Sequence, residues 1–131
     1  MLLVVDNGSV YTKNLTSFLT KKNISFDVQT PNTLDLNSLQ HYDSFILSGR
    51  RKNEKKINEI NSKIVNYSLK NNSKLLGICY GAEILALTLG GTIKKSSSLQ
   101  KGDETVKIFE NNLIQNDSLL VFESHNFEIS K

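Results

Sequence analysis

Apolar residues fall along the chain in two rhythms. In the first ninety residues, short unbroken apolar runs alternate with helically spaced ones. "LLVVD" (2–6) is a continuous apolar run closing on Asp6-Asn7-Gly8, which predicts a buried strand and a turn. Val10, Tyr11, Leu15, Phe18 and Leu19 then recur on one helical face, with Ser9 placed to cap it. "ISFDVQT" (24–30) alternates and predicts a second strand, closed by Pro31, the chain's single proline. "SFILS" (44–48) predicts a third strand ending at Gly49. Ile57, Ile60, Ile64 and Tyr67 predict a second helix, with "RRKNEKK" (50–56) as its solvated start. "KLLGIC" (74–79) predicts a fourth strand. "AEILALTL" (82–89), apolar nearly all round, predicts a buried helix halted by Gly90-Gly91. Beyond it the rhythm changes: "TIKKS" (92–96), "TVKIF" (105–109) and "LLVFES" (119–124) predict short strands joined by polar turns.

Strands that alternate with helices pair in parallel through right-handed crossovers. The expected fold is therefore α/β: an open, mainly parallel Rossmann/flavodoxin-like sheet with helices on both faces. A few short antiparallel strands follow in the C-terminal part. Residues 1–131 suit a single domain. Sites in such sheets lie at the carboxyl ends of the strands. Here those ends are Asp6-Asn7-Gly8, Ser48-Gly49-Arg50 and Cys79-Tyr80-Gly81.

Charge narrows the class of partner. The net charge is +3, but the 22% charged residues are of both signs and scattered. The densest basic run, 50–56, has no interleaved aromatics to stack on bases, so no nucleic-acid partner is expected. No apolar run approaches the roughly 20 residues of a membrane span, and "MLLVVDNG" has no basic region that would make it a secretory signal. One cysteine forbids an internal disulfide and fits a reducing cytoplasm. One cysteine and two histidines without close spacing offer no structural zinc site, so no metal is expected.

That cysteine lies in Gly77-Ile78-Cys79-Tyr80-Gly81, a G-x-C-x-G pattern between strand and helix. This is a nucleophile elbow with sulfur in place of hydroxyl. Gly77 and Gly81 relieve crowding on both sides of a sharp turn. The turn presents the thiol at a helix N-terminus, which favours thiolate. The Tyr80 N–H then points where a tetrahedral oxyanion would form.

Four segments together resemble the class I glutamine amidotransferases. "LLGICYGAEILALTLGG" (75–91) resembles their G-I-C-x-G-x-Q elbow, and "LLVVDNGSVYTKNLTSFL" (2–19) their first strand and helix. "DSFILSGR" (43–50) resembles their strand and oxyanion loop, and "VFESHNFEI" (121–129) their E-S-H segment. The likeness runs over essentially the whole chain. It implies glutamine as substrate, no cofactor, and a cysteine thiolate that attacks the side-chain amide. The ammonia would pass to a synthetase partner, such as the ATP-pyrophosphatase subunit of GMP synthase. It implies Cys79 as nucleophile, with the backbone N–H groups of Tyr80 and Arg50 as oxyanion donors. It implies glutamine contacts at Gly49, Glu83, Ser124, His125, Asn126 and Phe127.

The chain departs from that family pattern in three places. The family's catalytic histidine and glutamate belong to an H-P-E motif that these residues do not contain. Arg50 stands where the family has glycine, and Glu83 where it has glutamine. Of the two histidines, His41 precedes the third strand, on the wrong side of the sheet. His125 follows a later strand and could face the site, with Glu123 or Glu128 to orient it. Two other readings therefore stand beside the glutaminase: an amidotransferase-like binding module without turnover, and, more remotely, a cysteine-elbow hydrolase of the PfpI-peptidase type.

Overall fold

The computed structural model describes residues 1–107 and 118–130. Four strands form one parallel sheet: β1 (Leu2–Val5), β2 (Phe26–Gln29), β3 (Ser44–Leu47) and β4 (Lys74–Gly77), in the order β2-β1-β3-β4. β1 and β3 are central, which is why their runs read as continuous apolar stretches. Leu3, Val4, Val5 and Leu47 are fully buried.

The strand pleat sends alternate residues to opposite faces. Val4 and Ile46 meet Leu19 of α1 (Thr12–Lys21) on one face. Leu3, Val5, Phe45 and Leu47 meet Ile57, Ile64 and Val65 of α2 (Lys55–Lys70) and Ile84 of α3 (Tyr80–Thr88) on the other. A 3-10 helix, Leu36–His41, adds Leu39 to that second face. The expected α/β architecture with helices on both faces is thus present. The three helices each end at a residue with positive φ: Asn23, Asn72 and Gly90. Asparagine and glycine are the residues that adopt this cap most readily.

Three expectations are corrected. The first helix begins at Thr12, and its N-cap is Tyr11 rather than Ser9, with no side-chain cap bond. The turn before it is organised by Asp6, whose carboxylate accepts from Gly8 N–H at 2.9 Å and Thr12 Oγ1 at 2.8 Å. Ser9 Oγ accepts only from Tyr11 N–H, within that turn. Val10 and Tyr11 therefore lie outside the helix and are exposed; Phe18 is exposed too, and the buried face of α1 carries Thr12 and Leu19.

α3 is not buried all round: only Tyr80, Gly81 and Ile84 are, while Leu87 and Leu89 are exposed. It packs along one side of β4, which is an edge strand. The C-terminal part is antiparallel, as expected, but its strands are longer than the short runs suggested: β5 (Thr92–Lys107) pairs with β6 (Ser118–Ser130). Its register shifts between Lys95 and Gln100. Of the expected strand 105–109, residues 108 and 109 lie outside the described residues. Among the described residues, no helix is long and apolar enough to cross a membrane.

Candidate active site

Two glycines set the elbow between β4 and α3. A Cβ on Gly77 would lie 2.5 Å from the backbone of Gly81 and Ala82. One on Gly81 would lie 2.1 Å from the carbonyl oxygen of Leu47. The strand end, the helix start and the central strand thus meet backbone to backbone, and no side chain fits between them. Cys79 is the N-cap of α3, with φ 53° and ψ −115°. A non-glycine residue held there stores roughly 1–3 kcal/mol of strain, a condition met most often at functional sites.

The thiol is solvent-accessible, and the next loop lies against it. A Cβ built on Gly49 would be 3.6 Å from the Cys79 Cβ. Gly8 and Arg50 form an isolated antiparallel bridge that ties the ends of β1 and β3 together. Neither Gly49 nor Arg50 has a positive φ. Arginine in place of the family's glycine at position 50 therefore needs no left-handed backbone here.

Beneath this loop lies a buried polar network that sequence reasoning missed. Asn7 and Asn61 exchange amide hydrogen bonds at 2.8 and 3.1 Å. Asn7 Nδ2 also donates to the Ser48 carbonyl at 3.0 Å, and Asn7 N–H to Ser48 Oγ at 2.9 Å. Asn61 Nδ2 donates to the Ile57 carbonyl at 2.8 Å. The network joins β1, β3 and α2 directly below the site. Its signal in sequence is faint: Asn61 sits four residues after Ile57, on the stripe that otherwise carries Ile64 and Val65.

Three adjoining hollows open around Cys79. One of about 350 Å³ lies between the Ser9–Tyr11 turn, Gly49 to Arg51 and Phe122. One of about 480 Å³ lies between Ala82, Glu83 and the β6 side chains from Phe122 to Ile129. One of about 320 Å³ is bounded by Arg50, Tyr80, Glu83 and residues 124–127. Every residue expected to contact glutamine borders one of these hollows, while Gly77 and Gly81 serve the packing beneath. Tyr11, Ile78, Phe122 and Asn53 also line them; Ile78 and Phe122 lie within the elbow and the 121–129 segment, but none of the four was singled out as a site residue. His41 is exposed at the end of the 3-10 helix, on the amino side of the sheet, as expected.

The electrostatics qualify the expected thiolate. Partial burial pushes the Cys79 thiol up, and the Glu83 carboxylate adds to this. The Tyr80 N–H and the Arg50 guanidinium oppose it without overcoming it. The helix N-terminus alone therefore does not yield a low-pKa cysteine here. Burial also raises the Glu83 carboxyl, against the pull of Arg50 and His125. Burial drives the Tyr80 phenol up to about 12, so it stays protonated.

His125 does not reach the thiol with a free nitrogen. Nδ1 lies 2.9 Å from the Phe127 carbonyl oxygen and Nε2 lies 3.0 Å from the Glu123 carboxylate. Both partners are acceptors, so this arrangement suits the doubly protonated imidazolium, and the Glu123 bond raises the His125 pKa. Of the two carboxylates considered for orienting it, Glu123 makes the contact, while Glu128 accepts from Ser96 Oγ.

Comparisons with known proteins bear on the family. The family model "Glutamine amidotransferase class-I" matches residues 3–131. The glutamine-hydrolyzing GMP synthase subunit of Picrophilus torridus is 31% identical over 133 residues, covering 98% of this chain and 69% of that protein. Its counterpart in Thermoplasma acidophilum is 29% identical, with 98% and 65% covered. A crystal structure described as a GMP synthase subunit protein from Thermoplasma acidophilum superposes with a TM-score of 0.81 at 26% identity, covering 98% of this chain and 65% of that one. The glutaminase domain of Trypanosoma brucei CTPS, at 13% identity and a TM-score of 0.76, shares the fold, with 98% of this chain and 67% of that one covered. The chain spans about two thirds of the length of these relatives. With the fold, the cysteine elbow and a family match from residue 3 to residue 131, the chain belongs to the class-I glutamine amidotransferase family.

Proposed function

We propose that residues 1–131 form the glutamine-binding, nucleophile-bearing part of a glutaminase, with Cys79 as nucleophile. The observation that carries this reading is the strained elbow at Cys79, with the Gly49 loop packed against it. The Cys79 thiolate would attack the glutamine side-chain amide carbon. The oxyanion would be held by the N–H of Tyr80 and the backbone N–H of Arg50. Collapse of the tetrahedral intermediate breaks the C–N bond, and a proton must reach the departing nitrogen to release ammonia. Water then hydrolyses the thioester to glutamate. Gly49, Glu83 and the segment Ser124 to Phe127 would hold the rest of the substrate.

The proton for the leaving nitrogen is the missing part. The chain has two histidines: His41 is at the far end of the sheet, and both nitrogens of His125 are engaged. A step without its positioned acid loses about 10²–10⁴-fold. These residues by themselves should therefore turn glutamine over slowly or not at all. The acid would come from a group outside them. The likeness to the glutamine-hydrolyzing subunits of GMP synthase supports a synthetase subunit, the ATP-pyrophosphatase subunit of GMP synthase, as the ammonia acceptor, and a cytoplasmic setting. Glu83 beside a thiol that is pushed up favours a second reading, a glutamine-family binding module without turnover.

The test is ammonia release from glutamine by the 131-residue protein, beside Cys79→Ala and His125→Ala. Turnover at ordinary enzyme rates, roughly 1–10³ s⁻¹, lost in both variants, would contradict the missing acid and make His125 the catalytic group. Slow release that Cys79→Ala abolishes and His125→Ala leaves unchanged supports the reading.

A further inference from the structure

Arg50 is the first side chain after the loop that touches Cys79, and its guanidinium is held at several points. Nη1 donates to Asn58 Oδ1 at 2.6 Å and to Asn53 Oδ1 at 2.9 Å. Its central carbon stands 3.9 Å from the centroid of the Tyr80 ring, a cation–π contact. The Tyr80 hydroxyl donates to the same Asn58 Oδ1 at 2.8 Å, and Asn58 Nδ2 donates to Asn53 Oδ1 at 3.2 Å. The network closes on itself, from the loop to the first turns of α2 and back to the residue after the cysteine.

We infer that Arg50 is a positioning residue of the elbow: clamped by Asn53 and Asn58 over the Tyr80 ring, it is the fixed cation that offsets Glu83 beside Cys79. The two substitutions that set this chain apart from its family's motif are then one compensated change. Glu83 brings a negative charge one helical turn from Cys79, and Arg50 brings a positive charge to the same hollow, which all three line. The guanidinium matters, because its delocalised cation over the Tyr80 ring is held in place by Nη1, whereas a lysine would bring a more strongly hydrated point charge on a flexible stem.

Other charged or titratable groups also face the thiol. Arg51 and Tyr11 border the hollow on the loop side. Glu123, His125 and Glu128 border the adjoining hollow from β6, where Glu123 is paired with His125. Burial raises the Cys79 thiol, Arg50 lowers it and Glu83 raises it, in agreement with the geometry. The inference concerns the same cysteine as the proposed glutaminase but does not need glutamine.

The experiment is the initial rate of iodoacetamide labelling of Cys79 against pH, in the 131-residue protein and in Arg50→Met, Arg50→Lys, Asn58→Ala and Glu83→Gln. Arg50→Met should move the half-maximal pH up by about half a unit to one unit, the size of one nearby charge partly screened by water. Arg50→Lys should move it up by less. Asn58→Ala, which frees the guanidinium, should also move it up, and Glu83→Gln should move it down. A purely structural Arg50 would alter the melting temperature and leave the labelling midpoint in place.

An unmoved or lowered midpoint in Arg50→Met overturns the inference. If that variant does not fold, an unmoved midpoint in both Arg50→Lys and Asn58→Ala overturns it. Failure of the glutaminase reading would look different: shifted midpoints in a protein that never recognises glutamine.

Discussion

Replacing Gly81 with alanine tests the packing that presents Cys79. The added methyl would stand 2.1 Å from the Leu47 carbonyl oxygen, 2.8 Å from its carbonyl carbon and 2.9 Å from its Cβ. Leu47 is fully buried at the end of β3, and its carbonyl accepts from Ile78 N–H at 2.9 Å. The obstruction is therefore backbone in a central strand, which cannot rotate aside. Ordinary contact requires α3 to retreat by about an ångström. Such overpacking typically costs about 1–3 kcal/mol, and rigid surroundings place this case near the upper end. For a chain of this size that lowers the melting midpoint by roughly 10 °C. Because Cys79 is the N-cap of α3, its labelling rate should change as well.

Gly90→Ala is the control. Among the described residues, no atom beyond its chain neighbours lies within 4 Å of its added methyl, but its φ is +86°. It should lose about 1 kcal/mol through backbone strain alone, with Cys79 reactivity untouched. Urea unfolding by circular dichroism and iodoacetamide labelling read both variants. A Gly81→Ala protein with wild-type stability and wild-type labelling would refute the packing argument.

Three further outcomes are expected. Asn61→Ala strands the buried Asn7 amide and should cost about 2–3 kcal/mol in urea unfolding, whereas a loss under about 0.5 kcal/mol would mean that the network is not important to stability. Cys79→Gly should be more stable than Cys79→Ala by about 1 kcal/mol or more, because glycine relieves the φ of 53°; the reverse order would remove the case for strain. His125 is held as imidazolium by Glu123, so its folded pKa lies above its unfolded value. Its contribution is fully present below the unfolded value, about 6.5, and is lost as pH rises through the folded one. Imidazole proton shifts measured against pH should show the raised value, and Glu123→Gln should lower it. An unchanged titration in that variant would sever the pair from the effect.

Legibility in the sequence followed burial. β1 and β3 stand out because a run of apolar residues with no polar alternation has few other uses, and β4, though an edge strand with Leu76 exposed, was legible through its lead into the elbow. α2 stands out because Ile57, Ile60 and Ile64 repeat at helical spacing. The elbow was legible because Gly77 and Gly81 flank Cys79 at a spacing that a strand-to-helix turn requires. The hairpin was not legible at its true length: most of β5 is exposed and polar, and backbone pairing across the ladder, rather than side-chain pattern, carries the strand from Thr92 to Lys107. α3 looked buried because apolar residues cover its whole circumference, yet pattern cannot say how many neighbours an edge position has. Arg50 stood out only as a departure from the family's glycine, since the partners of its side chain, Asn53, Asn58 and Tyr80, are joined only by the fold. His125 read as a candidate base because a sequence cannot show that both ring nitrogens are already taken.

Whether Cys79 recognises glutamine is the central question, and one measurement addresses it directly. The 131-residue protein is treated with a chloroketone built on the glutamine side chain, whose carbon the sulfur attacks as chloride departs, and the product is followed by intact-mass and peptide mass spectrometry. No leaving nitrogen has to be protonated in this reaction, so it reports the site without the missing acid. A glutamine site at Cys79 predicts a single label there, faster than with a simple chloroketone of equal reactivity and slowed by free glutamine. Labelling at the same rate by both reagents, unaffected by glutamine, would contradict it.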